Sequence, residues 1–162
     1  MYDIGTYVFH TYCGVCKVIA IEPLSADEPN TLYYVLSPHH GDDRNNIVRV
    51  PVDNAASLRR PLDKQTALEL LKNWPDITTN LYIVDSKARK LAYEEALRSG
   101  YVEKLAALLE GALQRKARDG HLNSMDAQFV SRASPVVYGE LGFALDIPVE
   151  EVPAFIRANA RR

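Results

Sequence analysis

The segment Ile47-Val48-Arg49-Val50-Pro51-Val52-Asp53-Asn54-Ala55 decides the fold of the first part of the chain. It is a β-branched run with one arginine inside it, closed by a proline and by residues that favour turns. Side chains alternate faces along a strand, so Ile47, Arg49 and Pro51 share one side while Val48, Val50 and Val52 share the other. The valine side reads as core and places Arg49 outward. Pro51 has no N–H to give to a ladder, which puts the strand at a sheet edge, where another chain can add its own backbone. Such an edge suits a docking module better than an enzyme.

Working outward, three further runs have strand character: Thr6 to Phe9, Val15 to Ile21, and Leu32 to Leu36. The intervening stretches, Pro23 to Asn30 and His39 to Asn46, carry turn and loop chemistry, and Gly5 and Gly14 allow sharp bends. Four short strands at this spacing predict a small antiparallel sheet or an SH3-like β-barrel over residues 1–60. Beyond Pro61 the apolar period becomes helical, so the fold class is α+β in two parts, with an all-α domain over residues 61–162.

The helical half has its own punctuation. Asp63 can cap a helix carrying Ala67, Leu68, Leu70, Leu71 and Trp74, with Pro75 at its end. Trp74, in phase with Leu70 and Leu71, reads as a core residue between the two halves. Asn80 or Asp85 can start a second helix that stops at Gly100, and a third runs from Tyr101 to about Asp119 before Gly120. Ser124 or Asp126 can cap a segment reaching Leu145. Pro135 lies inside it and predicts a kink or two helices, because an internal proline costs about 3 kcal/mol. A short helix from Val149 to Ala158 completes the chain's pattern.

Composition narrows the function classes. The chain has 162 residues, 47% hydrophobic and 25% charged, the balance of a soluble globular protein. Its net charge is −2, with 5 basic against 7 acidic residues up to position 60 and 14 against 14 after it, so neither half is a general electrostatic adhesive for nucleic acid. No apolar run approaches the roughly 20 residues that span a bilayer, and the first residues lack the pattern of a secretory signal, which predicts a cytoplasmic protein without membrane attachment. Two cysteines are too few for a disulfide framework and fit a reducing compartment.

Gly5-x-Tyr7-Val8, Gly14, Tyr33-Tyr34-Val35-Leu36, Val48-Arg49-Val50-Pro51 and Asp53-Asn54-Ala55 occur in order ahead of a helical half, followed by Leu97-x-Ser99-Gly100 and Gly139-Glu140-Leu141. In this the chain resembles the CarD family of bacterial transcription regulators, whose N-terminal module is shared with the transcription-repair coupling factor. The resemblance implies a Tudor-like β module bound to the β subunit of bacterial RNA polymerase. It also implies a helical domain beside promoter DNA that biases open-complex formation. The polymerase-binding residues would be Ile47, Val48, Arg49, Val50 and Pro51. Two positions depart from the family pattern. Ala20-Ile21-Glu22 is followed by Pro23 and Leu24, not by a second basic residue, and Ser86 stands where many members carry a tryptophan wedge. Tyr82, on a shifted element, is the alternative wedge.

Lys87, Arg89, Lys90 and Arg98 form the clearest basic cluster and are the candidate DNA-binding residues, although Arg89 lies about 100° from Lys90 on a helical wheel and Asp85, Glu94 and Glu95 dilute the field. A solvated helix face is the competing reading. Cys13-Gly14-Val15-Cys16 has redox spacing, and with His10, His39 and His40 it allows a zinc site to be drawn, but a turn entering a strand lacks the helix N-terminus that activates a dithiol. Structural cysteines, with no metal or cofactor, are the preferred reading. No nucleophile–base set, paired carboxylates or phosphate-cradling loop appears, so no enzyme is expected. Two rivals remain beside the transcription regulator: a polymerase-bound adaptor without DNA contact, and a zinc or dithiol protein.

Overall fold

The structure, a computed structural model, describes residues 1–39, 46–80 and 83–160. The chain divides into two compact units, Met1–Pro61 and Leu62–Arg162. The first contains the strands β1 (Tyr7–His10), β2 (Gly14–Pro23), β3 (Leu32–Pro38), β4 (Val48–Pro51) and β5 (Leu58–Arg59). They form one antiparallel sheet in the order β4-β3-β2-β1-β5. Four of these strands follow the predicted runs. The fifth is two residues long, too short for a period to register, and is held by pairing of Leu58 with His10 and Arg59 with Phe9.

The expected small antiparallel sheet is present, but among the described residues its backbone does not close into a barrel: β4 and β5 end the strand order without pairing. It is nevertheless curled. Val50 of β4 and Leu58 of β5, from opposite ends of that order, belong to one buried cluster with Val8, Cys16, Val18, Tyr34 and Leu36. A register shift between Val18 and Ala20 gives β2 the local bend that such curling needs. On the second face Phe9 is fully buried, with the Arg59 guanidinium 3.8 Å from the centre of its ring.

The β1–β2 turn places the cysteines. Nδ1 of His10 accepts from the backbone N–H groups of Tyr12 and Cys13, both at 3.2 Å, so the imidazole serves as a turn acceptor. Burial lowers its pKa. Burial, with the neighbouring Cys13, pushes the Cys16 thiol up to about 12, so at neutral pH it is a protonated apolar side chain. Among the described residues no three His, Cys, Asp or Glu side chains converge as metal ligation would require, and His40 lies outside those residues.

The second unit contains α1 (Lys64–Lys72), α2 (Trp74–Asn80), α3 (Ser86–Ser99), α4 (Val102–Asp119), α5 (Ser124–Leu145) and α6 (Val152–Asn159). Asp63 caps α1 by accepting from Thr66 N–H at 2.7 Å, and Asp85 caps α3 by accepting from Ala88 N–H. Gly100 and Gly120 stop α3 and α4 with φ of 68° and 81°, a backbone region open to glycine without steric cost. The cap of α5 is Asn123, one residue ahead of Ser124 and three ahead of Asp126, the two candidates read from sequence. Pro135 does not divide α5, which continues as a single helix to Leu145. Both Pro135 and Ser131, whose carbonyl loses its donor, are exposed, so water can serve that oxygen. Pro75 begins α2 within its first turn and does not simply end α1. Trp74 is buried inside the helical unit, where its hydrogen bond to Glu110 partly offsets the upward push that burial exerts on that carboxyl.

One polar cluster joins α3, α4 and α5. Asp126, in the first turn of α5, accepts from Arg89 Nε at 2.9 Å, Arg115 Nε at 3.2 Å and the Tyr93 hydroxyl at 2.6 Å. Arg115 Nη2 in turn donates to the Tyr93 oxygen at 2.7 Å, and the Tyr93 ring stacks on Phe129 at 3.9 Å between centres. This overturns the reading of Arg89 as a DNA contact. Arg89 is 5% exposed, and it also donates to the carbonyls of Ile83 and Val84. It lies in phase with Tyr93 and Ala96, the other buried positions of α3, and so faces inward. A second buried carboxylate, Glu140 in α5, accepts from Leu62 N–H at 3.0 Å and ties the start of the unit to its longest helix.

Two outcomes follow from these contacts. Burial alone would raise the Asp126 pKa, but hydrogen bonds from Tyr93 and Arg115 and the charges of Arg115 and Arg89 hold it below the ordinary value. Its stabilisation is therefore complete above the unfolded aspartate value of about 3.9 and is lost as pH falls through the lower folded value. Asp126→Asn, which leaves two buried guanidiniums without their anion, should cost about 3–5 kcal/mol at pH 7. Urea unfolding from pH 6 to 2.5 should show the wild-type advantage shrinking only at the acid end. Thiol titration with a disulfide reagent at pH 8 should find Cys13 reacting well ahead of Cys16, and equal rates in the folded protein would contradict the buried thiol.

Candidate functional site

Strand β4 carries the sequence-derived docking residues, and its neighbour fixes which of them face out. Antiparallel register pairs Leu36 with Val48, Val35 with Arg49, Tyr34 with Val50 and Tyr33 with Pro51. Tyr34, Leu36 and Val50 lie in the core cluster and Val48 packs against it, so Arg49 is on the opposite face. It is exposed and makes no hydrogen bond or ion pair among the described residues. Ile47, just ahead of the strand, is 37% exposed, and Pro51 is half-buried.

The five residues thus divide. Ile47, Arg49 and Pro51 can offer side chains to a partner on the outer face, whereas Val48 and Val50 can contribute only backbone. As an end strand, β4 has β3 on one side and, among the described residues, no strand on the other, leaving alternate backbone N–H and C=O groups without a ladder there. Just past Pro51 the chain turns through a short 3-10 helix, Val52–Asn54, whose first residue packs against the core cluster. The available edge is therefore short. A partner strand could gain only a few main-chain hydrogen bonds, and the guanidinium would supply much of the orientation.

The second set of candidates sits on α3. Lys87, Lys90 and Arg98 are exposed on the side of the helix away from Arg89, Tyr93 and Ala96. Leu91 lies among them at 67% exposure, and Glu94 and Glu95 are exposed as well. Glu95 reaches Lys104 at 3.8 Å, a surface pair of small energetic weight. Ser86 opens the helix, and Tyr82 lies outside the described residues. The outer face is a mixed-charge surface with three cations. Sequence reasoning missed Tyr93, Arg115 and Asp126 as a set, although each falls in phase with the apolar stripe of its own helix.

The buried carboxylates are engaged by Arg89, Arg115, Tyr93 and the Leu62 N–H, and the Cys16 thiol is held protonated. Among the described residues no helix is long and apolar enough to cross a membrane. Strand β4 at the sheet edge presents one exposed guanidinium, Arg49.

Comparison with known proteins agrees with that character. No curated protein matches the chain. A family description does match: residues 2–62 fit the CarD-like/TRCF RID domain. This is a protein-interaction domain of transcription-related proteins that contact RNA polymerase, and it is not catalytic. The matched region covers all five strands, including the edge strand with Arg49, and stops at the first residue of the helical unit. Residues 2–62 of this chain are a CarD-like/TRCF RID domain.

Proposed function

We propose that the protein is a bacterial, cytoplasmic transcription regulator that docks on the β subunit of RNA polymerase through β4 and holds its helical unit beside promoter DNA, modulating open-complex formation. The observation that carries this reading is the exposed Arg49 on an end strand inside a CarD-like/TRCF RID domain. In the bound form the curled sheet acts as a Tudor-like module. Ile47, Arg49 and Pro51 meet the partner with side chains, and Val48 and Val50 keep the strand in register from the core side.

DNA contact falls to Lys87, Lys90 and Arg98, the exposed cations of α3. Three phosphate contacts are weak in isolation at physiological salt. Docking raises the local concentration of promoter DNA toward the millimolar range, where weak contacts suffice. The adjoining Glu94 and Glu95 favour a second reading, in which the helical unit is a protein adaptor and leaves DNA untouched.

A charged hydrogen bond at an interface is worth about 1.5–3 kcal/mol, so Arg49→Ala in the full chain should weaken binding to purified bacterial polymerase about 10- to 100-fold without loss of fold. Unchanged affinity would remove β4 from the interface. In promoter footprinting with polymerase, the wild type should extend or strengthen upstream protection, and Lys87→Glu combined with Lys90→Glu should abolish that change while polymerase binding persists. An unaltered footprint from the wild type would favour the adaptor.

A further inference from the structure

Helix α3 turns one leucine to water. Leu91, near the middle of the helix, is 67% exposed and lies on the side away from the buried Arg89, Tyr93 and Ala96. A single exposed leucine is ordinary, but the charges around this one are sorted. Lys87 and Lys90 stand on its N-terminal side and Glu94 and Glu95 on its C-terminal side, all four exposed. That order works against the helix itself. Lys87 lies in the first turn, at the positive end of the helix dipole, and Lys90 precedes Glu94 by four residues, the weaker of the two orientations for such a pair. Among the described residues Lys87, Lys90 and Glu94 make no hydrogen bond or ion pair, and Glu95 reaches Lys104 only across the surface, at 3.8 Å. The sorted charges are thus left to water or to a partner.

A face that is positive at one end, apolar at its centre and negative at the other end is its own complement when reversed. We propose that the outer face of α3 is a self-association surface, on which a second copy of this chain lays the same helix antiparallel about a two-fold axis at Leu91. At about 100° per residue, Lys87, Lys90 and Glu94 fall to the same side of Leu91 on the helical wheel. An antiparallel two-fold keeps that side against its own counterpart, so the lysines of one copy meet Glu94 of the partner subunit, and the symmetry makes each contact twice. A parallel alignment sets like charges opposite one another. The contact is little wider than one helix face, far short of the roughly 1,600 Å² of a standard interface, which fits a weak, salt-sensitive dimer. Because it covers Lys87 and Lys90, the dimer is a form of the free protein and must part before α3 can meet DNA. The inference does not depend on polymerase docking.

Self-complementarity can be broken and then restored. Sedimentation velocity of the purified full chain, without polymerase or DNA, from about 10 µM to about 1 mM in low salt should show the mean mass rising from one chain toward two, with Kd on the order of 100 µM. Raising the salt to about 0.5 M should weaken the dimer several-fold. Lys87→Glu with Lys90→Glu, and separately Glu94→Lys with Glu95→Lys, should each weaken it about 10-fold or more, although they move the net charge in opposite directions. All four substitutions together reverse the face but leave it self-complementary, and should recover the dimer. The four positions are exposed, so circular dichroism should find the helix content unchanged in every variant. A monomer throughout the range, a dimer that survives either double substitution, or no recovery in the fourfold variant would overturn the assignment. None of these results bears on polymerase binding, which Arg49→Ala tests separately.

Discussion

The burial of Val50 with Val48 behind it is the constraint on which the outer face of β4 rests. A strand has a two-residue period, so anchoring those valines against Tyr34 and Leu36 leaves Arg49 no inward option. A slip of one residue would bring the guanidinium into the apolar cluster and turn the valines to water, an exchange that costs far more than the strand's few hydrogen bonds return. The outward orientation of one charged side chain is thus enforced by its apolar neighbours. The curl of the sheet adds to this, because Leu58 from the far edge joins the same cluster and fixes the ends of the sheet relative to one another without a hydrogen-bonded seam.

In the helical unit the organising contact is ionic. Asp126 draws Arg89, Arg115 and Tyr93 to one point, so three helices that could slide along an apolar interface are held at a fixed register. An all-apolar replacement could match its stability, since desolvating charges is expensive, but would not specify a single alignment of α3 against α4. The stacking of Tyr93 on Phe129 secures the same alignment from the apolar side.

What the sequence discloses follows the range of the forces involved. The alternation in β4, the caps at Asp63 and Asp85 and the glycine stops at Gly100 and Gly120 are local signals, legible because each acts within a few residues. The two-residue β5 and the cap at Asn123 were missed because length or competing neighbours, Ser124 and Asp126, hid them. Arg89 was misread for a deeper reason. Its charge resembled that of Lys87 and Lys90, while the evidence of its inward position lay in its spacing from Tyr93 and Ala96. Its partner is 37 residues away, beyond any local pattern. The exposure of Ile47 and Arg49 could be anticipated, but the confinement of Val48 and Val50 to backbone contact needed the register.

Pro135 lies between the two attachments of α5, Asp126 near its start and Glu140 near its end. The missing rung lowers the bending stiffness of the rod at that place, and it does so on the wetted side, where hydration replaces the lost partner. Each end of the helix can consequently settle against its own neighbours without forcing the other out of alignment, much as an expansion joint relieves a long beam fixed at both ends.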